Sequence, residues 1–494
     1  MTQVIDAAAY RFQADLPDAI DAYVATLRRS QLYAFTYRGA DLSRLIGIEL
    51  YFRLVNDPAL RAAYGACRFG GQNSEFGPNV PLSEVAARVY PHLTKDRRTP
   101  SLSLSKATSC IAASTQSLIA RLRHRRDGAS IATPASEARA VVMLAISRRF
   151  FLYLLPIRDR INGPVCWLIP EDAPWAAEIE ALGDTVVHIR DSFDEPPRGF
   201  VSVPLQNWTL TLQRFDAYLD ALRSLNPAVV VVVEGNHPED EIVARAADVN
   251  GARSLCLQQG WSPFIHSGFR HMRFDAFCAW GQAFADMLAP YNPRQRFLVS
   301  GSPVVSPVDT KVNHAAKAIS FFLQRDSLVI SEAAWRGMLE FVDWCATTFP
   351  EWQILVREHP AIPFFSEDFA AIRQRVNVTF CPASEMSLQE VLDRSRIAVA
   401  IFSTTLIESL ARRVAPLIVN VTGAARYFPD LEAQGIAIEV HDYAGARAKM
   451  ADLIDGAADA AIARMPQAVG RYFGATADGA LGNIVQEIRQ LEAS

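Results

Sequence analysis

Five consecutive valines, Val229–Val233, constrain the fold of this chain more than any other stretch. β-Branched residues favour strands, and a strand that is apolar at every position must be covered on both faces. Such strands are typical of parallel sheets that have helices on either side. The sequence therefore predicts an α/β architecture around this strand, with Glu234 at its carboxyl end.

Similar short apolar runs alternate with amphipathic stretches from residue 138 onward. In the first half of this region they occupy residues 141–146, 165–169, 185–189, 228–233, 254–257, 274–280 and 296–299. In the second half they occupy residues 318–323, 352–357, 376–380, 397–402 and 415–419. The alternation predicts two successive doubly wound domains with right-handed βαβ crossovers.

The change of pattern along the chain predicts four segments. Apolar residues at helix-like spacing in 19–27 and 42–55 indicate a helical start, and a proline-containing stretch at 304–313 indicates a hinge. The segments are a helical N-terminal region at 1–135, a first α/β domain at 136–303, a second at 304–425 and C-terminal helices at 426–494. Within the first segment, four arginines form either a solvated face or a mobile basic stretch: Arg121, Arg123, Arg125 and Arg126.

Composition excludes several classes of protein. The chain has 494 residues, is 50% hydrophobic and carries a formal net charge of -4, which argues against disorder and against a basic nucleic-acid binder. Its 7 cysteines are scattered without a C-x-x-C pair, so neither a disulfide framework nor a zinc knuckle is indicated. Arginines interrupt the most apolar stretch, at 140–161, and the first 18 residues lack a secretory signal. We therefore expect a cytoplasmic protein without a membrane crossing, and a peripheral contact with the inner membrane stays open.

A hydroxyl cluster follows one of the strands predicted in the second domain. Ser403, Thr404 and Thr405 come directly after the apolar run 397–402 and open a helix. Unpaired backbone N–H groups and the positive end of the helix dipole make such a turn a binding site for a phosphate group. The alternative is that Ser403 only caps the helix.

A histidine stands at the end of a neighbouring predicted strand. His359 lies between Arg357 and Pro360, and the proline favours an extended conformation for the residue before it. An imidazole at the rim of the sheet can donate a hydrogen bond to phosphate, and Arg357 can add charge. A purely structural histidine is the alternative.

The His-Pro dipeptide followed by a hydroxyl cluster and Glu408 resembles GT-B glycosyltransferases of bacterial surface-polysaccharide assembly. It is most similar to those that use CMP-activated acidic sugars, the sialyl-, polysialyl- and Kdo transferases. The resemblance implies two Rossmann-like domains facing a cleft, with His359, Ser403 and Thr404 holding the donor phosphate. Thr405 departs from the usual hydroxyl pair. Glu408 is expected to reach a ribose hydroxyl or to remain a solvent-facing helix charge.

Three motifs of the first domain strengthen this resemblance. Residues 255–260, 274–281 and 299–303 are similar to the N-terminal domains of these transferases and of the related sugar-nucleotide 2-epimerases. The implied function is transfer of Kdo or a related ulosonic acid from a CMP donor to a bacterial polysaccharide or glycolipid. The alternatives are a 2-epimerase and a non-catalytic protein that binds nucleotide sugars as a scaffold.

The first domain is expected to supply the acid or base. Glu234 precedes Gly235, which gives the backbone freedom to turn, and His237 follows. Glu234 is a candidate base for an inverting reaction or a candidate nucleophile for a retaining one. The alternative is that it caps the next helix. His237 is a second acid/base candidate, with Asp248 and Asp275 behind it.

Weaker candidates for the acceptor side follow other strands of the first domain. They are Arg148, Arg149, Gln258, Gln259, His266 and His271. Arg148 and Arg149 can bind a carboxylate or phosphate, or lie exposed at the surface. The sequence has no P-loop, no G-x-G-x-x-G after a strand and no carboxylate cluster for Mg²⁺. We therefore expect no cofactor and no metal ion, only the nucleotide sugar and its acceptor.

Overall fold

The computed structural model describes residues 7–29, 35–57, 139–190, 208–262, 265–308, 317–324, 330–359, 366–421 and 429–494. Three of the sequence predictions concern residues outside these ranges: the arginine group at 121–126, Pro360 and part of the predicted hinge. Among the described residues, no helix combines the length and apolarity needed to cross a bilayer.

The N-terminal region packs against the first α/β domain. It contains α1 (Ala7–Arg29), the two-stranded hairpin β1 (Thr36–Tyr37) and β2 (Ala40–Asp41), and α2 (Ser43–Leu54). Apolar side chains of α1, such as Leu16 and Ile20, recur at helical spacing and therefore lie on one face of the helix, which is buried. The sequence did not predict the hairpin, which is held by a 2.8 Å hydrogen bond from the Tyr37 hydroxyl to Asp216.

The first α/β domain is built on seven parallel strands. Their order across the sheet is β5-β4-β3-β6-β7-β8-β9. The strands are β3 (Val141–Leu144), β4 (Val165–Pro170), β5 (Thr185–Ile189), β6 (Val229–Val233), β7 (Arg253–Leu257), β8 (Ala276–Ala279) and β9 (Phe297–Val299). The helices are α3 (Arg148–Arg158), α4 (Ala176–Glu180), α5 (Trp208–Leu225), α6 (Pro238–Asn250) and α7 (Gln282–Leu288). The five valines of β6 are completely buried at the centre of the sheet, as the sequence predicted.

The second α/β domain has six parallel strands in the order β12-β11-β10-β13-β14-β15. They are β10 (Ala318–Phe322), β11 (Gln353–Arg357), β12 (Val378–Cys381), β13 (Ile397–Ala400), β14 (Ala415–Val419) and β15 (Ile438–Val440). The helices are α8 (Glu332–Thr348), α9 (Leu388–Arg394), α10 (Thr404–Ala411), α11 (Tyr443–Asp452) and α12 (Ala458–Tyr472). The sequence did not predict the short edge strand β15.

The last helix, α13 (Ala477–Glu492), returns to the first domain. Ile484 and Ile488 join the core on one face of the first sheet, together with Val229 and Val231. Asn483 donates a 3.0 Å hydrogen bond to the carbonyl of Ser300, and Arg296 forms an ion pair with Glu487. The helices after residue 426 therefore divide between the two domains.

Each sheet contains one topological switch point, where successive strands are added in opposite directions. It lies between β3 and β6 in the first sheet and between β10 and β13 in the second. The carboxyl ends of strands at such a point border a crevice in which ligands of α/β proteins bind. The structure thus puts Arg149, Glu234 and Ser403 beside these two crevices.

Candidate functional site

Glu234 occupies a strained position at the end of β6. Its φ of 68° lies in the left-handed region, which non-glycine residues seldom adopt, and Gly235 follows with a φ of 72°. A Cβ at residue 235 would lie 2.6 Å from the Cys256 sulfur, so only glycine fits there. Such strain costs about 1–3 kcal/mol and is concentrated in functional sites.

The Glu234 carboxylate faces two groups that favour its ionised form. Arg149 Nη2 lies 2.8 Å from Oε1, and His237 Nε2 lies 3.6 Å from Oε2. Burial alone would raise the pKa of Glu234, but His237 and Arg149 lower it below its ordinary value. Glu234 does not cap α6. The cap is made by His237, whose backbone N–H donates to Asp240 at 3.2 Å.

His237 completes this cluster from the start of α6. Its ring lies parallel to that of Phe52, with a centroid distance of 6.4 Å, and edge-on to Phe150. Burial alone would lower the pKa of His237, but the bond to Glu234 and the charges of Asp240, Glu234 and Glu239 raise it. The two side chains therefore stabilise each other in their charged forms.

The hydroxyl cluster begins α10 on the opposite domain. The Ser403 hydroxyl accepts a 3.2 Å hydrogen bond from the N–H of Thr405, so this serine does cap the helix. The Thr404 hydroxyl accepts a hydrogen bond from the backbone N–H of Trp261 at 2.9 Å and donates one to the Trp261 carbonyl at 3.2 Å. Thr404 thereby links the two domains across the cleft.

The position of Gly260 shows how close the two halves of the site come. A Cβ at Gly260 would lie 3.5 Å from Thr404 Oγ1 and 3.6 Å from Glu234 Oε1. Both oxygens therefore approach the same point. The carboxylate of the first domain and the hydroxyl of the second border one cleft.

His359 follows β11 and is partly buried. It lies at the edge of the second sheet formed by the carboxyl ends of the strands, where α10 also begins. Strand β10 separates β11 from β13, so the ends of these two strands are about 10 Å apart. Burial lowers the pKa of His359, and the positive charge of Arg149 lowers it further. The imidazole therefore lies within range of the charge of the Arg149 guanidinium, which itself contacts Glu234.

Arg357 and Glu408 lie deeper in the second domain. Arg357 is buried, and its guanidinium donates to the Met386 carbonyl. Burial raises the pKa of Glu408 to about 7, and the charge of Arg357 opposes this rise. Of the two expectations for Glu408, a solvent-facing helix charge does not describe this partly buried carboxyl.

Two of the acceptor-side candidates turn away from the cleft. Arg148 is exposed and pairs with Glu178 at 2.8 Å. Gln258 is buried. Its Oε1 accepts from the backbone N–H of Trp280 at 2.8 Å, and its Nε2 donates to the Gly260 carbonyl at 3.2 Å. Gln258 thus shapes the loop that carries Gly260 and does not face a ligand. Gln259, next to it, is partly exposed.

The two histidine candidates contact the N-terminal helices. His266 is buried against Tyr51, with ring centroids 4.8 Å apart, and its Nδ1 accepts from the Gly268 N–H at 3.1 Å. Burial lowers the pKa of His266 to about 3, so the ring is neutral. His271 lies 3.1 Å from Asp21 of α1. Both histidines contact α1 or α2 and not the acceptor side of the cleft, where we expected them, because the N-terminal region covers this part of the first domain.

Arg44 of α2 is a residue that sequence reasoning missed. It is buried, and its guanidinium donates to three backbone carbonyls: those of Gly235 and Gly268, both at 2.6 Å, and that of Arg270 at 2.9 Å. It also pairs with Glu241. Arg44 thus fixes the turn that carries Glu234. The sequence signal for its burial was a single arginine next to the apolar residues 45–46.

Asp248 and Asp275 do not face the cleft. Asp248 pairs with Arg245, and burial raises its pKa to about 6. Asp275 accepts a 2.7 Å hydrogen bond from the Ser254 N–H. Across the described ranges, no three His, Cys, Asp or Glu side chains come together as a metal site would require.

No protein-family model matches the chain, and no curated protein matches its sequence. Its structure is similar to that of a protein assigned as a UDP-N-acetylglucosamine 2-epimerase from Listeria monocytogenes, with a TM-score of 0.51 and 14% identity over 72% of this chain and 96% of the other. It is also similar to Acinetobacter baumannii MurG, with a TM-score of 0.46 and 12% identity over 71% and 99%. The Neisseria meningitidis UDP-GlcNAc 2-epimerase gives a TM-score of 0.47 and 12% identity over 71% and 99%. The chain has the GT-B fold, with two Rossmann-like domains facing a cleft and a helical N-terminal extension.

Proposed function

We propose that this protein is a glycosyltransferase that moves a sugar from a nucleotide donor on the second domain to an acceptor hydroxyl on the first. One observation carries the proposal. The carboxylate of Glu234, a residue with a strained backbone, approaches the same point as the hydroxyl of Thr404 at the start of α10, and the two come from opposite domains. A sugar bound between them would have a phosphate site on one side and a reactive carboxylate on the other.

The donor side suits a nucleotide phosphate. The N-terminus of α10 offers backbone N–H groups and the positive end of its dipole, and Ser403 and Thr405 add hydroxyls that can donate, whereas the Thr404 hydroxyl already gives its proton to the Trp261 carbonyl. His359 at the end of β11 can donate a hydrogen bond to the same group. These donors would stabilise the negative charge of the departing phosphate, so the reaction as proposed uses no metal ion.

The electrostatics of Glu234 bear on the stereochemistry. A carboxylate with a lowered pKa stays ionised at neutral pH but is a weak base. This favours direct attack on the anomeric carbon, or stabilisation of its positive charge, over removal of the acceptor proton. We infer a retaining reaction, in which Glu234 displaces the nucleotide phosphate and the acceptor hydroxyl then displaces Glu234, passing its proton to the released phosphate. The protonated His237 holds Glu234 in place.

The favoured donor is CMP-Kdo or a related CMP-ulosonate, and the favoured acceptor is a bacterial polysaccharide or glycolipid. The similarity of His359, Pro360, Ser403 and Thr404 to the motifs of CMP-sugar transferases supports this choice. Arg149, half exposed at the cleft, is suited to the carboxylate of an acidic sugar. The work of such an enzyme would be cytoplasmic, at the inner face of the membrane.

The test is to incubate the full chain with CMP-Kdo, CMP-sialic acid, UDP-GlcNAc and UDP-glucose, each with and without an oligosaccharide acceptor. We expect acceptor-dependent release of the nucleotide from one donor, with the anomeric configuration retained in the product by NMR. Inversion would reject the nucleophile role of Glu234. Binding of a nucleotide without any turnover would instead support a scaffold role.

A sugar-nucleotide 2-epimerase is the second candidate. It is favoured by the structural similarity to the Listeria monocytogenes protein assigned to that activity. Such an enzyme needs an acid or base on each side of C2, and Glu234 is the candidate for one of them. Conversion of the donor to its 2-epimer in the absence of any acceptor would establish this alternative.

A further inference from the structure

Residues 260–261 of the first domain lie directly on the start of α10 in the second. The backbone N–H of Trp261 donates to the Thr404 hydroxyl at 2.9 Å, and the same hydroxyl donates to the Trp261 carbonyl at 3.2 Å. A Cβ at Gly260 would lie 3.5 Å from that hydroxyl oxygen. Backbone of the first domain therefore covers the turn at which we propose that the donor phosphate binds.

The contact uses the hydrogen-bonding capacity that a phosphate group needs. A threonine hydroxyl has one proton to donate, and that of Thr404 goes to the Trp261 carbonyl. This carbonyl puts the negative end of its dipole beside the first residue of α10. A phosphate oxygen at the same place would be repelled by the carbonyl oxygen, because both carry negative charge. A phosphate that bonds to Thr404 must therefore replace the carbonyl.

The two ends of this segment are held by different domains. The Gln258 carbonyl accepts from the Tyr153 hydroxyl and from the indole N–H of Trp280, and all three residues are buried. The Gln258 side chain also holds the Gly260 carbonyl. The N–H and the carbonyl of the next residue, Trp261, bond instead to the second domain. The position of Trp261 thus depends on what the start of α10 binds.

The side chain of Trp261 anchors the segment in its observed position. Its ring lies 5.1 Å from that of Phe284 in α7, measured between centroids, and Phe284 lies edge-on to Tyr472 at 6.2 Å. Tyr472 ends α12, and from there the chain crosses to α13 on the first domain. The ring is therefore packed beside the crossing between the two domains, and this packing favours the contact with α10.

We propose that residues 260–261 form a gate over the donor phosphate site, closed by the contact with Thr404 and opened when the donor binds. The proposal rests on the proposed function, because it requires a phosphate at the start of α10. On binding, a phosphate oxygen replaces the Trp261 carbonyl as the acceptor of the Thr404 proton, and the gate leaves α10. The donor binds the open form alone, so its apparent affinity is reduced by the fraction of protein that is closed.

A disulfide that locks the gate tests the proposal. In the double variant Gly260→Cys, Thr404→Cys the two sulfurs lie within reach of each other, because a Cβ at residue 260 is 3.5 Å from the Thr404 oxygen. Mass spectrometry verifies the bond. We expect calorimetry with CMP and UDP to show binding about tenfold or more weaker in the oxidised double variant than in the same protein after reduction. Each single variant should bind equally in both redox states, which controls for the native cysteines.

Trp261→Ala tests the gate without a disulfide. The substitution removes the anchor on Phe284 and should favour the open form, so nucleotide binding should become about threefold or more tighter. Trp175→Ala, at the start of α4, is the matched control and should bind as the wild type does. Weaker binding by Trp261→Ala would make this residue part of the binding site and would overturn the gate.

The outcomes separate the gate from the proposed function. Equal affinity of the oxidised and reduced double variant would overturn the gate, because the phosphate would then bind beside the closed segment. Glycosyl transfer would stand in that case, since the nucleotide still binds. If the wild type binds neither CMP nor UDP, the donor site fails, and both proposals fail with it.

Discussion

Arg149 Nη2 lies 2.8 Å from Glu234 Oε1, and this contact joins the residues that follow the two strands of the first switch point. The pair holds the Glu234 carboxylate at the mouth of the cleft. The same guanidinium lowers the pKa of His359 on the opposite domain. One arginine thus bears on the charges of both candidate halves of the site.

The charge state of His237 tests the geometry of this cluster. We expect NMR titration to give a pKa for His237 above its ordinary value, and Glu234→Gln to lower it, because the substitution removes the partner anion. An unchanged His237 titration in Glu234→Gln would contradict the contact.

The same pair predicts how stability depends on pH. A lowered carboxyl pKa stabilises the fold above the unfolded pKa of about 4.3, and this contribution is lost as the pH falls through the folded value. A raised histidine pKa stabilises the fold below about 6.5, and this contribution is lost as the pH rises through the folded value. The coupling energy between Glu234→Gln and His237→Asn should therefore be greatest at about pH 5.5 and smaller at pH 9. Equal coupling at both values would show that the charges do not interact.

Gly235→Ala tests the strained turn. Its left-handed φ and the 2.6 Å approach to Cys256 predict a loss of about 2–4 kcal/mol in the free energy of unfolding. Gly251→Ala is the matched control, because its φ is 73° but its Cβ would meet nothing within 4 Å. That variant should lose only about 1–2 kcal/mol. Urea denaturation measures both, and equal losses would remove the packing argument.

Arg44→Met tests whether the N-terminal helices support the turn of Glu234. The change leaves three buried carbonyls without this donor and should cost about 3–5 kcal/mol. Arg53→Met, on the same helix, disrupts a pair with Glu49 at 3.3 Å nearer the surface and should cost less than about 1 kcal/mol. If both variants unfold at the same urea concentration, Arg44 does not clamp the turn.

Glu234→Gln tests the chemical role of the carboxylate. Turnover should fall by about 10³-fold or more while the affinity for the nucleotide stays the same, because the amide can neither attack nor carry charge. Glu178→Gln is the matched control, since Glu178 pairs with exposed Arg148 on the same domain. Near-normal turnover of Glu234→Gln would remove Glu234 from the mechanism.

The sequence was sufficient to predict all seven strands of the first sheet and five of the six strands of the second. Apolar runs such as Val229–Val233 mark buried parallel strands because each must be covered on two faces. The hairpin β1–β2, the edge strand β15 and the return of α13 to the first domain were missed. These elements are short or depend on contacts between residues far apart in the chain, which local periodicity does not reveal.

The strand-end rule also found the residues that the structure brings to the cleft. Glu234, His359 and Thr404 all follow strands of the two sheets, so their positions follow from topology alone. The rule did less well for Gln258 and His266, because it does not say whether a loop side chain turns outward or into the core. The rule could not predict Arg44, because this residue lies on a helix of the N-terminal region and does not follow a strand of either sheet.

The most direct test of the account is calorimetry of CMP and UDP binding to the wild type and to His359→Ala. If the imidazole donates to the donor phosphate, the substitution should weaken binding by about 1.5–3 kcal/mol, roughly 10- to 150-fold in Kd. His188→Ala, on the far edge of the first sheet, should bind as the wild type does. Unchanged affinity in His359→Ala would contradict the phosphate site, and with it the proposed glycosyl transfer.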